Sequence, residues 1–284
     1  MDVPGRNREP SDSQLTRREF LRLCGAGFCA LTASGMLTNP GPARAQIVKK
    51  GLVGMTPSPW YSKLERKAVR CELCPRQCEI PKKKRGYCRV RENRDGVLYS
   101  LVYGNPCALH LEPMELKPLF HVLPGTNTLS IATVGCSFAC KFCQTWEMSQ
   151  AAPEDVYGFE VPPGGVVEKA LEAGVPSVAY TYVEPTVSWE YTLDTARQVR
   201  QAGLLNVIHT NGFINPSPLE DLGGVIDAAN VDLKAFSDDF YGELCDGRLE
   251  PVLETLRALK RMKVHLEITN LVIPTLNDDL SMLR

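Results

Sequence analysis

The chain has 284 residues, 44% hydrophobic and 23% charged, with 32 Lys+Arg against 33 Asp+Glu and a formal net charge of −1. This is globular composition, enough for one large domain or two ordinary ones. It excludes a disordered, collagen-like or polytopic membrane protein, and the balanced charge gives no global pull toward nucleic acid or anionic lipid. Cysteine is the outlier: the 11 residues cannot all pair within one chain, and their spacings suit metal ligation better than a disulfide framework.

In chain order, residues 1–45 read as a targeting segment. Thr16-Arg17-Arg18-Glu19-Phe20-Leu21-Arg22 precedes an apolar run from Leu23 to Leu37, then Asn39-Pro40-Gly41-Pro42 and Ala43-Arg44-Ala45. Basic, apolar and small-x-small is the order of an export signal. The arginine pair ahead of Phe20-Leu21 resembles a twin-arginine signal, which implies an exported or periplasmic protein. An amphipathic helix with a chance arginine pair, on a cytoplasmic protein, is the alternative. The apolar run, about 15 residues rich in Gly, Ala and Cys, is too short for a stable membrane span. Cys24 and Cys29 fall inside it and carry no expected chemistry.

Residues 46–125 form a Cys-rich N-terminal extension. A short helical pattern lies near Tyr61 to Val69, a strand at Val97–Tyr103, and a connector at Leu116–Phe120. From residue 126 the pattern alternates. Strands are predicted at Thr128–Thr133, Ser177–Val183, Leu205–His209, Ala228–Leu233 and Val264–Val272. Helices are predicted at Pro163–Ala173, Thr186–Ala202, Pro218–Ile226, Asp238–Leu244 and Leu249–Met262. Such alternation with short connections argues an α/β fold with a parallel sheet, either doubly wound or part of a (β/α) barrel. Either way, ligands belong at the carboxyl ends of the strands.

Just past the first of these strands stand Cys136, Cys140 and Cys143, spaced C-x3-C-x2-C. Three thiolates on one loop can hold three irons of a [4Fe–4S] cubane, which normally takes four cysteines, leaving one iron open to a ligand. Zinc or buried thiols are the structural alternatives; zinc wants four ligands.

The triad, with Phe142 before its last cysteine, resembles the signature of the radical S-adenosylmethionine (SAM) enzymes. The resemblance implies a partial (β/α)6 radical SAM barrel, TIM-barrel-like, over residues 126–284. It implies reductive cleavage of SAM to a 5′-deoxyadenosyl radical that abstracts hydrogen from a substrate. It further implies cofactor contacts at strand ends: Phe142 near adenine, Glu184 on the SAM amino group, and Thr210, Asn211, Asp232 and Lys234 approaching SAM. Of the usual Gly-Gly-Glu-Pro only Glu184-Pro185 is present. A one-electron donor such as flavodoxin or ferredoxin is an implied partner; the substrate, small molecule or protein, is unidentified. The chain ends in what would be the helix after the fifth strand, so the resemblance implies a missing last strand–helix unit.

The resemblance narrows, over about residues 70–284, to the radical SAM enzymes of the AmmeMemoRadiSam system. Its local texts are Leu73-Cys74-Pro75-Arg76-Gln77-Cys78, Tyr103-Gly104, Lys117-Pro118-Leu119-Phe120-His121, Leu123-Pro124-Gly125, Phe142-Cys143-Gln144, Trp146 and Tyr180-Thr181-Tyr182 before Glu184-Pro185. An activating enzyme for glycyl-radical proteins, of the pyruvate formate-lyase type, is the rival enzyme. A non-catalytic iron–sulfur electron carrier is the rival of another class.

Cys71, Cys74, Cys78 and Cys88 supply four soft ligands within a short segment, for zinc or an auxiliary Fe–S cluster, with disulfides or free thiols as the alternative. Between them, Lys82-Lys83-Lys84-Arg85 reads as a solvated turn rather than a nucleic-acid contact. Cys107 and Cys245 read as isolated buried apolar residues. His110, His121, Glu112, Glu115 and Lys117 read as hydrogen-bonded structure, leaving Glu184 as the one carboxylate with an expected role at the cofactor.

Overall fold

The computed structural model describes residues Val48–Leu280, so the arginine-pair segment lies outside the described residues. The extension is built from short antiparallel strands. β1 (Val48–Lys50), β2 (Thr56–Pro57), β3 (Tyr61–Lys63), β4 (Val69–Cys71), β5 (Glu79–Ile80), β6 (Arg91–Arg94) and β7 (Val97–Ser100) form two three-stranded sheets, β2-β7-β6 and β3-β4-β5, while β1 pairs elsewhere. The expected helix near Tyr61–Val69 is instead a hairpin. Tyr61 pairs with Cys71 and Lys63 with Val69 around a tight turn at Glu65–Lys67, with Arg66 and Lys67 at φ +54° and +60°. So short a segment gains too few hydrogen bonds to offset helix nucleation, whereas cross-strand pairing gives its backbone partners at once.

The extension also supplies a strand that the sequence pattern did not single out. β8 (Ala108–Pro113) runs antiparallel to β9 (Asn127–Ala132), from Ala108 opposite Ala132 to Pro113 opposite Asn127. After β9 come α1 (Trp146–Ser149), β10 (Tyr157–Phe159, paired with β1), α2 (Pro163–Glu172), β11 (Ser177–Tyr180), α3 (Trp189–Gln201), β12 (Leu205–Thr210), α4 (Pro216–Glu220) and β13 (Ala228–Asp232). A single helical turn, α5 (Asp238–Phe240), then runs into a π-helical turn at Tyr241–Cys245, followed by α6 (Glu250–Arg261) and β14 (His265–Thr269).

The central sheet has the order β14-β13-β12-β11-β9-β8, and its five strands from β9 to β14 are parallel. Neighbours follow chain order with no reversal. A doubly wound sheet would reverse at a switch point, so the winding is that of a partial barrel. β9, β11 and β13 are almost wholly buried, as expected where a sheet is covered on both faces. α2 turns Val166 and Ala170 inward, α3 Ala196 and Val199, and α6 Val252 and Leu259, all fully buried or nearly so. Among the described residues no helix is long and apolar enough to cross a membrane.

Candidate active site

The loop after β9 turns sharply at Gly135, whose φ is +95°. A Cβ there would stand 2.6 Å from the Cys88 carbonyl oxygen and 2.8 Å from a Val90 methyl, so only glycine lets the loop cross the extension. Phe138 anchors the next turn. It is 1% exposed, with ring centroids 4.9 Å from Phe213 and 5.9 Å from Tyr241. Backbone bonds from Ala139 N to Cys245 O (3.0 Å) and from Lys141 N to Leu244 O (2.8 Å) lace the loop to the π-helical turn. Cys136, Cys140 and Cys143 are thereby presented on a braced loop at the carboxyl end of β9.

One open cavity of about 300 Å³ lies in front of this loop. Its lining includes all three cysteines together with Phe142, Glu184, Thr210, Asn211, Asp232 and Lys234, so the structure brings together every residue expected around the cofactor. The donor set suits an iron–sulfur cluster: three soft thiols from one loop, with no fourth cysteine in the lining and open space beside them. Among the described residues, no three Cys, His, Asp or Glu side chains already converge on a common point at ligating distance.

Glu184 is 4% exposed and held by protein donors. Its Oε1 accepts hydrogen bonds from Thr186 N (3.0 Å), Thr186 Oγ1 (2.6 Å) and Thr210 Oγ1 (2.8 Å), and its Oε2 accepts from Asn211 N (2.8 Å). A carboxylate offers about two acceptor sites on each oxygen; three donors crowd Oε1, whereas Oε2 takes one and keeps a site, and Glu184 lines the cavity. Thr210 and Asn211 are likewise occupied. Thr210 Oγ1 also accepts from Gly212 N (3.0 Å), and Asn211 Nδ2 donates to Ser137 Oγ (3.0 Å) and lies 3.7 Å from Cys136 Sγ. This trio ties the ends of β11 and β12 to the cysteine loop.

On the next strand, Asp232 Oδ1 meets His209 Nε2 at 2.9 Å, and Oδ2 accepts from Lys234 Nζ at 2.6 Å. Burial pushes the Asp232 carboxyl up, but the hydrogen bonds and charges of His209 and Lys234 outweigh it and hold the group below the usual carboxylate range. His209 was not singled out from sequence; its signal is a titratable residue at the last turn-out of a parallel strand, directly before Thr210-Asn211. Phe142 is half-buried, 5.8 Å from the Phe240 ring.

Four further residues gain a place at the site. Cys245, read as an isolated apolar residue, is fully buried with its thiol beside Cys140. That contact holds Cys140 below the usual thiol range and, with burial, pushes Cys245 up. Tyr182, in the cavity wall, has φ +64°, a conformation costly for a non-glycine residue, and its carbonyl accepts from Thr145 Oγ1 at 2.9 Å. Its hydroxyl donates to Glu112, which also pairs with the 1%-exposed Lys117; the Lys117 ammonium lies 4.3 Å from the Tyr182 ring centre. His121 and Glu115 stay outside this network: His121 pairs with Glu267 and Glu115 accepts from Gly125 N.

The second cysteine group borders a separate, small pocket behind the loop, with Cys71, Cys74, Cys78 and Cys88 all in its wall.

The model of the radical SAM superfamily matches residues 130–283. An uncharacterized protein of Methanocaldococcus jannaschii is 44% identical over 78% of this chain and 66% of its own length. The 7-carboxy-7-deazaguanine synthase of Thermococcus kodakarensis is 24% identical over 39% of this chain and 50% of its own. The chain therefore spans less than two thirds of the length of these curated relatives. Among solved structures, a radical SAM methyltransferase from Sphaerobacter thermophilus is similar with a TM-score of 0.45 and 15% identity, over 80% of this chain and 61% of that one.

Proposed function

The chain belongs to the radical SAM superfamily, whose members use a [4Fe–4S] cluster and SAM, and from that premise we propose that it is an enzyme in which Cys136, Cys140 and Cys143 hold the cluster and the cavity beside them binds SAM. The observation that supports this most is the shared cavity, which places three thiols at the carboxyl end of β9 among polar side chains from the ends of β11, β12 and β13. When bound, the cluster supplies one electron that cleaves SAM to methionine and a 5′-deoxyadenosyl radical, which abstracts hydrogen from a substrate.

The chain's own residues divide this work. Phe138 and the backbone pairing with Leu244 and Cys245 hold the cysteine loop rigid. Asn211 Nδ2 approaches the Cys136 sulfur and orients that ligand. Glu184, whose carboxylate takes four protein donors, three of them on Oε1, is a positioning residue that sets Thr210 and Asn211. Asp232, fixed between His209 and Lys234, presents the charged group best placed for the polar part of SAM, and Phe142 supplies an aromatic surface for adenine.

Within the superfamily we place the chain with the enzymes of the AmmeMemoRadiSam system, on the motifs from Leu73 to Pro185. Three residues in or beside those motifs, Lys117, Tyr182 and Glu112, meet in one network beside the cavity. The electron donor is a flavodoxin or ferredoxin, and the substrate a small molecule or protein. The test is anaerobic reconstitution with iron and sulfide. The protein should show a reduced-cluster EPR signal that changes on adding SAM and should release 5′-deoxyadenosine. The Cys136→Ala, Cys140→Ala, Cys143→Ala variant should do neither; an unchanged signal in that variant would sink the assignment.

A further inference from the structure

The pocket behind the cysteine loop combines features that an apolar core pocket lacks. Cys71 ends β4, and its N–H donates to Cys78 O at 3.0 Å. Cys74 and Cys78 flank a turn closed by Gln77 N to Cys74 O at 3.1 Å, with Gln77 at φ +46°. Cys88 arrives on the loop after Gly86, where an added Cβ would stand 3.7 Å from Cys78 Sγ. Three chain segments thus deliver four thiols to one wall, and all four are free of disulfides.

The same wall holds two guanidinium groups, Arg76 and Arg91, and no carboxylate. Arg91 is 1% exposed. Its Nε donates to Val187 O (3.0 Å), and its Nη1 donates to Ser58 Oγ (3.1 Å) and Glu190 Oε1 (2.5 Å). Its Nη2 and the second oxygen of its partner, Glu190 Oε2, are both buried with no partner among the described residues. A buried guanidinium N–H without an acceptor is unfavourable, and because Arg91 lines the thiol pocket, a sulfur acceptor there would satisfy it. Arg76 is already paired with Asp246 and Arg91 with Glu190, but neutral thiols or two disulfides would be poor acceptors for the spare Arg91 N–H. Four thiolates around a divalent ion carry a net charge of two minus, and their sulfurs accept N–H bonds.

The pocket volume is about 20 Å³, room for about one water-sized body and far less than an iron–sulfur cubane occupies. A single ion in an all-sulfur, closed site is the chemistry of structural zinc.

We propose that Cys71, Cys74, Cys78 and Cys88 bind one zinc ion as a tetrathiolate whose negative charge is met by the Arg91 Nη2 N–H, with Glu190 holding the guanidinium in place. Binding converts four thiols and Zn²⁺ into the anionic complex and releases four protons. Because Ser137 lines this pocket and the Cys88 carbonyl abuts Gly135, the zinc site forms the rear support of the cysteine loop and joins the extension to the barrel.

The site is independent of the cluster, and the test uses the full chain with Cys136, Cys140 and Cys143 all replaced by Ser, so that only the second group can ligate. Elemental and sulfide analysis should give one zinc per chain and no acid-labile sulfide. Adding Cys74→Ser and Cys78→Ser should abolish the zinc. Iron with sulfide at this site overturns the proposal, as does metal-free protein whose mass shows two disulfides. In a chelator competition, Arg91→Met should weaken zinc binding by about 10- to 100-fold, the usual cost of losing a group that supports a ligand. Unchanged affinity would remove Arg91 from the site. Should Arg91→Met not fold, Arg91→Lys loaded with Co²⁺ gives the second readout: its thiolate charge-transfer bands should shift from those of the parent, and identical spectra would overturn the N–H···S contact.

Discussion

Glu184 Oε2 accepts the backbone N–H of Asn211 at 2.8 Å, joining the end of the second parallel strand to the end of the third. The Asn211 side chain continues the line to Ser137 at 3.0 Å and toward the Cys136 sulfur. A residue expected from its motif to meet a cofactor amino group thus takes four protein donors, with one acceptor site left on Oε2, and its effect reaches the cluster loop through Asn211.

Glu184→Gln preserves volume but replaces one acceptor oxygen by an NH2 group. At least one buried donor among Thr186, Thr210 and Asn211 then lacks an acceptor. The variant should be destabilised by roughly 1–3 kcal/mol, read as a lower urea midpoint for metal-free protein. An unchanged midpoint combined with lost SAM binding would instead put Glu184 in direct contact with SAM.

The Cys245 thiol, buried beside Cys140, is placed to donate to the Cys140 sulfur and so to tune the cluster. Hydrogen bonds to cluster thiolates stabilise the reduced, more negative state. A bond worth about 0.5–1.5 kcal/mol corresponds to roughly 20–65 mV for one electron, at 59 mV per decade. Cys245→Ala should therefore lower the midpoint potential by this amount, with iron content unchanged. Spectroelectrochemical titration checks it; a potential equal to the parent's excludes the bond.

Glu267 on β14 accepts the backbone N–H groups of Phe120 (2.9 Å) and His121 (3.0 Å), fixing the connector that follows β8. Burial pushes this carboxyl up. The two N–H bonds, with those of His265 and His121, prevail and hold it down to about 2, against about 4.3 for an ordinary glutamate. Its folded-state pKa is depressed, so its stabilisation is present above pH about 4.3 and lost as pH falls through about 2. The melting temperature of Glu267→Gln should lie below the parent's at neutral pH, and the two should converge across that acidic window. A constant gap would show that charge plays no part.

The Arg17-Arg18 pair is proposed to direct export of the folded protein. Replacing both by Lys should leave the protein in the cytoplasm with its N-terminal segment uncleaved. Fractionation of cells expressing the two forms decides the point, and identical distributions would reject the signal.

The sequence by itself determined the parallel α/β core. Its apolar strand runs and their Gly and Pro boundaries are local signals, and local sterics and burial suffice to set them. It determined the cysteine triad and the position of the polar motifs at strand ends, because spacing within a loop and order along alternating elements are one-dimensional facts. Tertiary structure decided what each polar group touches. Thr210 and Asn211 reach Glu184 across 26 and 27 residues, Cys245 reaches Cys140, and Arg91 reaches Glu190 across 99. No local pattern encodes such pairs, since each arises only when separate strands and loops are stacked. The same holds for β8 and the Tyr61–Cys71 hairpin: their backbone hydrogen bonds, rather than their own propensities, made them strands.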